Sequence, residues 1–533
     1  MAAGRLRRVV NRLALLLIAG ALAAGLSPAP LAARAAPSAQ SDPAVDEIRR
    51  QVAQVRGLEL KAETPLTVLP KAALVGRLSR PLNTDHAVRE FLTSQMLLEV
   101  LGAQPRGFDL RQLQLRLLDE QTLAVYDYSD RTIFLIADAL SGGTLSADAR
   151  LVVAHEATHA LQDQHFNLRR ILPTDPENSD ADTAARALVE GDAMLTMRIW
   201  GRQFLRPADK RSLGDDTTPQ DTVLDSAPPL VRGELLFPYD AGWVFAQLLY
   251  QDGGFDAVNQ AFQRPPRSTE QILHPEKWQA GENPVSVTIR PLERSLGGTW
   301  VTRRTDVFGE LVLRLLLEPT LGWPTAEAAA AGWGGDAYTI LEDASGRRIV
   351  GMVTVWDTEA DAAEMYNAWA SNIEVQYKTD QVQTVTLPAV TRWAIPEYRV
   401  QALKTDNVVR IVFAPDDVTV DQVDALLANA TIGPAGPVAP TPTGTATPSG
   451  APTATPRSVE EPDGTPGPLE PSGTPGTVEP SGTPGPSGTP SRTVTPAGTA
   501  PPAGTPIPGS GSTPAPAATP PATPASPDDD DDD

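Results

Sequence analysis

Three of the chain's five histidines fall within eleven positions of one segment, LVVAHEATHALQDQHFN, residues 151–167. Two of them, His155 and His159, flank Glu156 in the pattern H-E-x-x-H. On a helix, residues four apart project about 40° from each other and one turn apart, so both imidazoles reach a single ion. A pair of neutral imidazoles suits zinc. Glu156 leaves such a helix in an adjacent direction, which suits a base acting on water at the metal rather than a ligand. The flanks fit a buried helix, since Val152, Val153, Ala154, Ala157, Thr158, Ala160 and Leu161 carry no charge. The competing reading is a core helix whose histidines are satisfied by neighbouring carboxylates.

Catalytic zinc commonly takes three protein ligands and a water. His165 lies six positions beyond His159, and on a continuous helix it turns away from the pair. It reads as structural, or as support for a ligand. Glu190 in ALVEGDA is the better third ligand: Leu188, Val189 and Ala193 around it are apolar, and a carboxylate packed there is costly unless paired or ligated. Gly191 lets two helices approach closely. Asp192 keeps two readings, an acceptor orienting a ligand histidine or a surface aspartate. Hydrolysis also needs a donor for the developing oxyanion. The candidates are His274, on a short helix before Pro275, and Tyr239, at the start of a buried helix. Their plainer roles are a histidine at a helix C-terminus, favoured by the dipole, and a packing tyrosine.

These residues need elements to carry them. Residues 85–102 show apolar positions at helical spacing behind Thr84 or Asp85 as cap, with His86 on the surface. Residues 108–118 form a second short helix, and 122–137 a β-hairpin turned by YSDR. Its edge could receive an extended peptide. Ser146 caps the histidine helix. A helix over 182–205 carries Glu190, behind the acidic stretch DPENSDAD, which reads as a solvated loop more readily than as a calcium site. A helix over 241–262 is interrupted at Gly253-Gly254, and Ser268 and Gln271 have capping-box spacing. Beyond 284 the strands VSVTI, YTIL, IVGMVTVW and VVRIVFA alternate with three helices, an α+β pattern without a catalytic constellation.

Composition sets the frame. The first 36 residues join a basic start to the apolar run LALLLIAGALAAGL and end on small residues, LAARAA, the pattern of a signal peptide; an uncleaved anchor is the alternative. The chain therefore reads as secreted or surface-located. Cysteine is absent, which excludes disulfides, thiolate metal sites and a cysteine nucleophile. From 434 to 533 proline, threonine, glycine, serine and alanine dominate, PSGTPG recurs at 471–476 and 480–485, and six aspartates close the chain. Such a tail reads as a disordered stalk able to associate with a cell envelope. Of the net charge of −22, the tail holds −9 and the leader +5, leaving −18 on residues 37–433. An acidic body of this kind repels nucleic acid and anionic lipid.

The segments AVYDYSDRTIFL, AHEATHALQDQHF, LVEGDA, YDAGWVF and STEQILHPEKW together resemble zincin metallopeptidases of the gluzincin kind. More closely, they resemble a family of exported bacterial and archaeal surface proteins described as metallopeptidases. The resemblance covers residues 45–280, and AAGWGGDAY and WDTEADA extend it. It implies an α+β chain with a zincin-like metallopeptidase domain over 42–283, an α+β accessory domain over 284–433 and the tail beyond. It also implies zinc on His155, His159 and Glu190, with Glu156 as general base and a peptide or protein as substrate. The sequence departs from the familiar N-E-x-x-S-D helix, having Met194 at the aspartate position. Two other functions fit the same residues: a non-proteolytic zinc-binding surface or adhesion protein, and a zinc hydrolase of a cell-wall amide or ester.

Overall fold

The computed structural model describes residues 42–435 apart from 142–143, 173–174, 176, 213–221, 298, 380 and 386–388. The leader and the tail beyond Ala435 lie outside the described residues. Helix α1 (Pro43–Arg56) starts at Asp42, whose carboxylate accepts the Ala44 N–H, and stops at Gly57 with φ 68°. Strand β1 (Leu66–Leu69) and α2 (Lys71–Ser79) follow. Thr84 caps α3 (Asp85–Val100), and Asp109 caps α4 (Leu110–Gln121). The expected hairpin is present as β2 (Ala124–Asp127) and β3 (Thr132–Ile136), with Arg131 in the turn at φ 52°. β1 joins β3 in parallel, so the sheet order β1-β3-β2 leaves β2 at an edge.

Helix α5 (Ala147–Phe166) carries the two ligand-type histidines. Ser146 caps it by accepting the Ala149 N–H, and Asn167 ends it in the left-handed region. Every residue from Leu151 to Gln162 is buried. A helix buried all round needs neighbours on every side, and α1, β2 and α6 (Ser179–Phe204) supply them. α6 starts earlier than its sequence pattern indicates, so the end of the acidic stretch lies inside it, while Asp175 and Glu177 before it are exposed. Asp180 and Asp182 are 3% and 5% exposed, and Asp180 accepts from Thr269 Oγ1 at 2.6 Å.

Helix α7 spans Pro229–Gln263, twelve residues longer at its start than the apolar run indicates, so Tyr239 lies within it. Its ladder breaks at Gly253 and Gly254, the latter at φ 64°, where the glycine pair stands in the sequence. α6 and α7 cross at backbone contact. A Cβ on Gly191 would stand 2.0 Å from the Gly242 carbonyl oxygen, and one on Gly242 would stand 2.2 Å from that of Ala187. Only glycine fits at such a crossing. Ser268 caps α8 (Thr269–Leu273), and Pro275, rather than merely stopping it, opens α9 (Pro275–Ala280).

The remaining chain builds a seven-stranded antiparallel sheet. Its strands are β5 (Val301–Asp306), β6 (Trp333–Glu342), β7 (Arg348–Trp356), β8 (Gln381–Val385), β9 (Ala389–Ile395), β10 (Tyr398–Thr405) and β11 (Val408–Ala414), in the order β8-β9-β10-β11-β7-β6-β5. β4 (Val285–Thr288) pairs separately with β12 (Thr431–Ala435). One face, with Ile340, Val350, Met352, Ile411 and Phe413, shares a core with α10 (Gly309–Leu321), α12 (Glu359–Tyr377) and the helical half. The other face, with Leu341, Ile349, Val353 and Val412, packs on α13 (Asp417–Leu427). α11 (Trp323–Ala330) lies against α10 and α12. The alternation follows from the period of two in a strand. Ion pairs also join the halves, Arg304 with Glu90 at 2.7 Å and Arg348 with Glu99 at 2.8 Å. The chain is thus mixed α+β. No described helix is long and apolar enough to cross a membrane.

Candidate metal centre

α5 and α6 bring His155, His159 and Glu190 together in the interior. His155 Nε2 lies 3.0 Å from His159 Nε2 and 3.0 Å from Glu190 Oε2, and His159 Nε2 lies 3.6 Å from the same oxygen. Ligand atoms about 2.05 Å from a tetrahedral zinc stand about 3.3 Å apart, so the three atoms have the spacing of one face of such a site. All three residues are buried, and no lysine or arginine lies within ion-pair distance of Glu190 among the described residues. Burial favours the neutral forms, yet the charge of His159 and hydrogen bonds from both imidazoles hold Glu190 below its ordinary value. His159 is raised in turn, Glu190 outweighing the burial. His155 is lowered, chiefly by burial. The donor set of two imidazoles and one carboxylate fits zinc.

Glu156 stands beside this triad rather than in it. Its Oε2 accepts the Tyr126 N–H of β2 at 2.7 Å, and burial pushes its carboxyl up to about 7. A carboxylate near neutrality is suited to take and return a proton. That N–H belongs to the edge strand, on the side facing away from β3. Tyr239 reaches the triad from α7. Its hydroxyl hydrogen-bonds Glu190, and burial together with the charges of Glu190 and Glu156 raises it well above its ordinary value, so it keeps its proton as a donor. The Gly191–Gly242 crossing lies one residue past Glu190 and three past Tyr239, and it sets their approach.

The structure separates the two oxyanion candidates. His274 does not join the triad: its Nε2 pairs with Glu310 Oε1 at 2.9 Å on α10, and Glu310, Glu276 and Glu270 are its charged neighbours. His274 stands between α8 and α9, and α8 packs on α10, a contact that no local pattern indicates. His165 bonds the Glu59 carbonyl at 2.8 Å, pointing away from the triad. Asp192 is fully buried, not on the surface, and pairs with Arg56 at 2.9 Å. Its link to a histidine is indirect. Gln162 Nε2 donates to Asp192 Oδ2 at 2.9 Å, and Gln162 Oε1 faces His159 Nδ1 at 2.8 Å. Gln162 and Arg56 went unread in the sequence. The only signal was a glutamine three residues past a ligand histidine, hence on its face of the helix.

A second set of ligand-type groups, Glu270, Glu282 and Asp357, meets around Lys277. The lysine ammonium lies 2.6 Å from Glu270, 2.9 Å from Glu282 and 2.6 Å from Asp357.

A family model described as a domain of unknown function (DUF8575) matches residues 298–424. The match covers the seven-stranded sheet and its helices and contains none of the residues of the triad. No protein of curated description matches the chain. No solved structure matches it either.

Proposed function

We propose that the protein is a zinc-dependent hydrolase of peptide bonds, of zincin type, acting outside the cytoplasm. The observation that carries the reading is the convergence of His155, His159 and Glu190 on one point, with Glu156 beside that point and bonded to the Tyr126 N–H of β2. Zinc held there supplies Lewis acidity, polarising a substrate carbonyl and acidifying water. Glu156 takes the proton of the attacking water and returns it to the leaving amine. Tyr239 donates to the oxygen on which negative charge develops. Leader and tail composition support export and attachment to a cell envelope.

Cleavage of a diverse peptide mixture by the mature chain, read by mass spectrometry beside Glu156→Gln, tests the proposal. Loss of a proton-transfer group is expected to slow hydrolysis by about 10²–10⁴-fold with zinc content unchanged. Zinc bound without any cleavage favours the non-proteolytic surface protein. Cleavage confined to a cell-wall amide or ester favours the other hydrolase.

A further inference from the structure

We infer that Arg56, the last residue of α1, is a positioning residue of the metal centre, acting through Asp192 and Gln162 to hold His159 ready for the ion. The inference rests on the zinc reading above. Arg56 is 1% exposed. Its Nε donates to Asp192, its guanidinium lies 4.5 Å from the Phe255 ring centre, and its Nη1 and Nη2 have no hydrogen-bond partner among the described residues. A buried arginine so poorly served is held by charge pairing with Asp192 rather than by a full set of bonds.

The consequence runs through one amide. Gln162 Nε2 donates to both Asp192 Oδ2 and the Val189 carbonyl, each at 2.9 Å. Both of its hydrogens are committed to acceptors, so its oxygen must face His159 Nδ1. A flipped amide would set oxygen against a carboxylate and a carbonyl at once. With an ion bound, His159 would keep its proton on Nδ1 and offer its Nε2 lone pair to the metal. Arg56, paired with Asp192 at 2.9 Å, holds that carboxylate in place as the acceptor of the Gln162 amide. His155 has no such support, for its Nδ1 has no hydrogen-bond partner among the described residues. The tautomer of one ligand is thus fixed from a helix about 100 residues away in sequence.

Zinc dissociation constants of the mature chain, measured by competition with a chromophoric chelator, test this. Gln162→Leu, and separately the pair Arg56→Met/Asp192→Asn, which removes both buried charges together, are each expected to weaken zinc about 10–100-fold. Combined in one chain they are expected to weaken it no further than Gln162→Leu alone, because both act through the same amide. A general loss of packing would add instead. Should the charge-pair variant fail to fold, Asp192→Asn takes its place in the same cycle. Unchanged affinity or additive losses overturn the inference while leaving the metal reading intact, provided the parent chain binds zinc and His155→Ala does not. A parent chain that binds no zinc overturns both.

Discussion

Among the described residues two places gather three ligand-type side chains, and they mean opposite things. Around Glu270, Glu282 and Asp357 the negative charge is already answered, because Lys277 sits among all three carboxylates. At His155, His159 and Glu190 two buried imidazoles meet one buried carboxylate, with no lysine or arginine within ion-pair distance of it among the described residues. The difference shows that proximity of ligand atoms is not enough. A candidate site for an ion is one where the carboxylate is answered only by imidazoles, whose protons a metal can replace, rather than by a fixed cation such as a lysine.

The comparison breaks most visibly at the metal. Replacing His155 or Glu190 by alanine is expected to remove zinc entirely, as metal content after dialysis would show, whereas Glu282→Gln and Asp357→Asn are expected to leave it unchanged. Zinc lost from the second pair would make the two clusters equivalent. Next in size is Lys277→Met, which strands the buried carboxylate of Glu270. Breaking such a pair is expected to cost about 3–5 kcal/mol in urea unfolding, and millimolar calcium should restore part of it by taking the lysine's place. A smaller effect follows from the helix crossing. Gly242→Ala forces a methyl group onto the Ala187 carbonyl, an overpacking expected to cost about 1–3 kcal/mol. Because Tyr239 rides on α7 while the ligands do not, hydrolysis should fall further than zinc affinity in that variant.

The last test contrasts a buried glutamate with a half-buried one. Glu190, beside two imidazoles, is held low, while burial and the charge of Asp306 push Glu234 up to about 8 from an ordinary 4.5. A folded carboxyl raised in this way keeps a proton that the unfolded chain gives up. Its contribution is therefore fully present below about pH 4.5 and is lost as pH rises toward 8, with a slope of up to about 1.4 kcal/mol per pH unit. Glu234→Gln is expected to flatten that decline in stability measured between pH 5 and 8. An unchanged profile would show that Glu234 titrates as an ordinary carboxylate.

What could be read in advance was local. The Ser146 cap, the hairpin with its YSDR turn, the break at Gly253-Gly254 and the H-E-x-x-H face all depend on residues a few positions apart. Glu190 was legible for a different reason, as a charge among apolar neighbours that needed an explanation. Features set by tertiary contact were not legible. The parallel pairing of β1 with β3 leaves no mark in either segment. Asp180 and Asp182 look like surface residues until Thr269 and the sheet half cover them. The destination of His274 depends on Glu310, from a helix whose docking nothing in the local pattern specifies. The first turns of α7 were hidden because Pro238, normally a helix breaker, lies inside it.

The glycine crossing and the Arg56 pairing share one further property: each joins segments far apart along the chain. On the zinc reading, the groups that would hold, support and face the ion come from α1, α5, α6 and α7, and none of them is adequate alone. Zinc capture should therefore switch on as a single late event of folding, after α1 has docked. A nascent or unfolded chain would then carry no hydrolytic centre, and the moment of zinc uptake would serve as a clock for completion of the core.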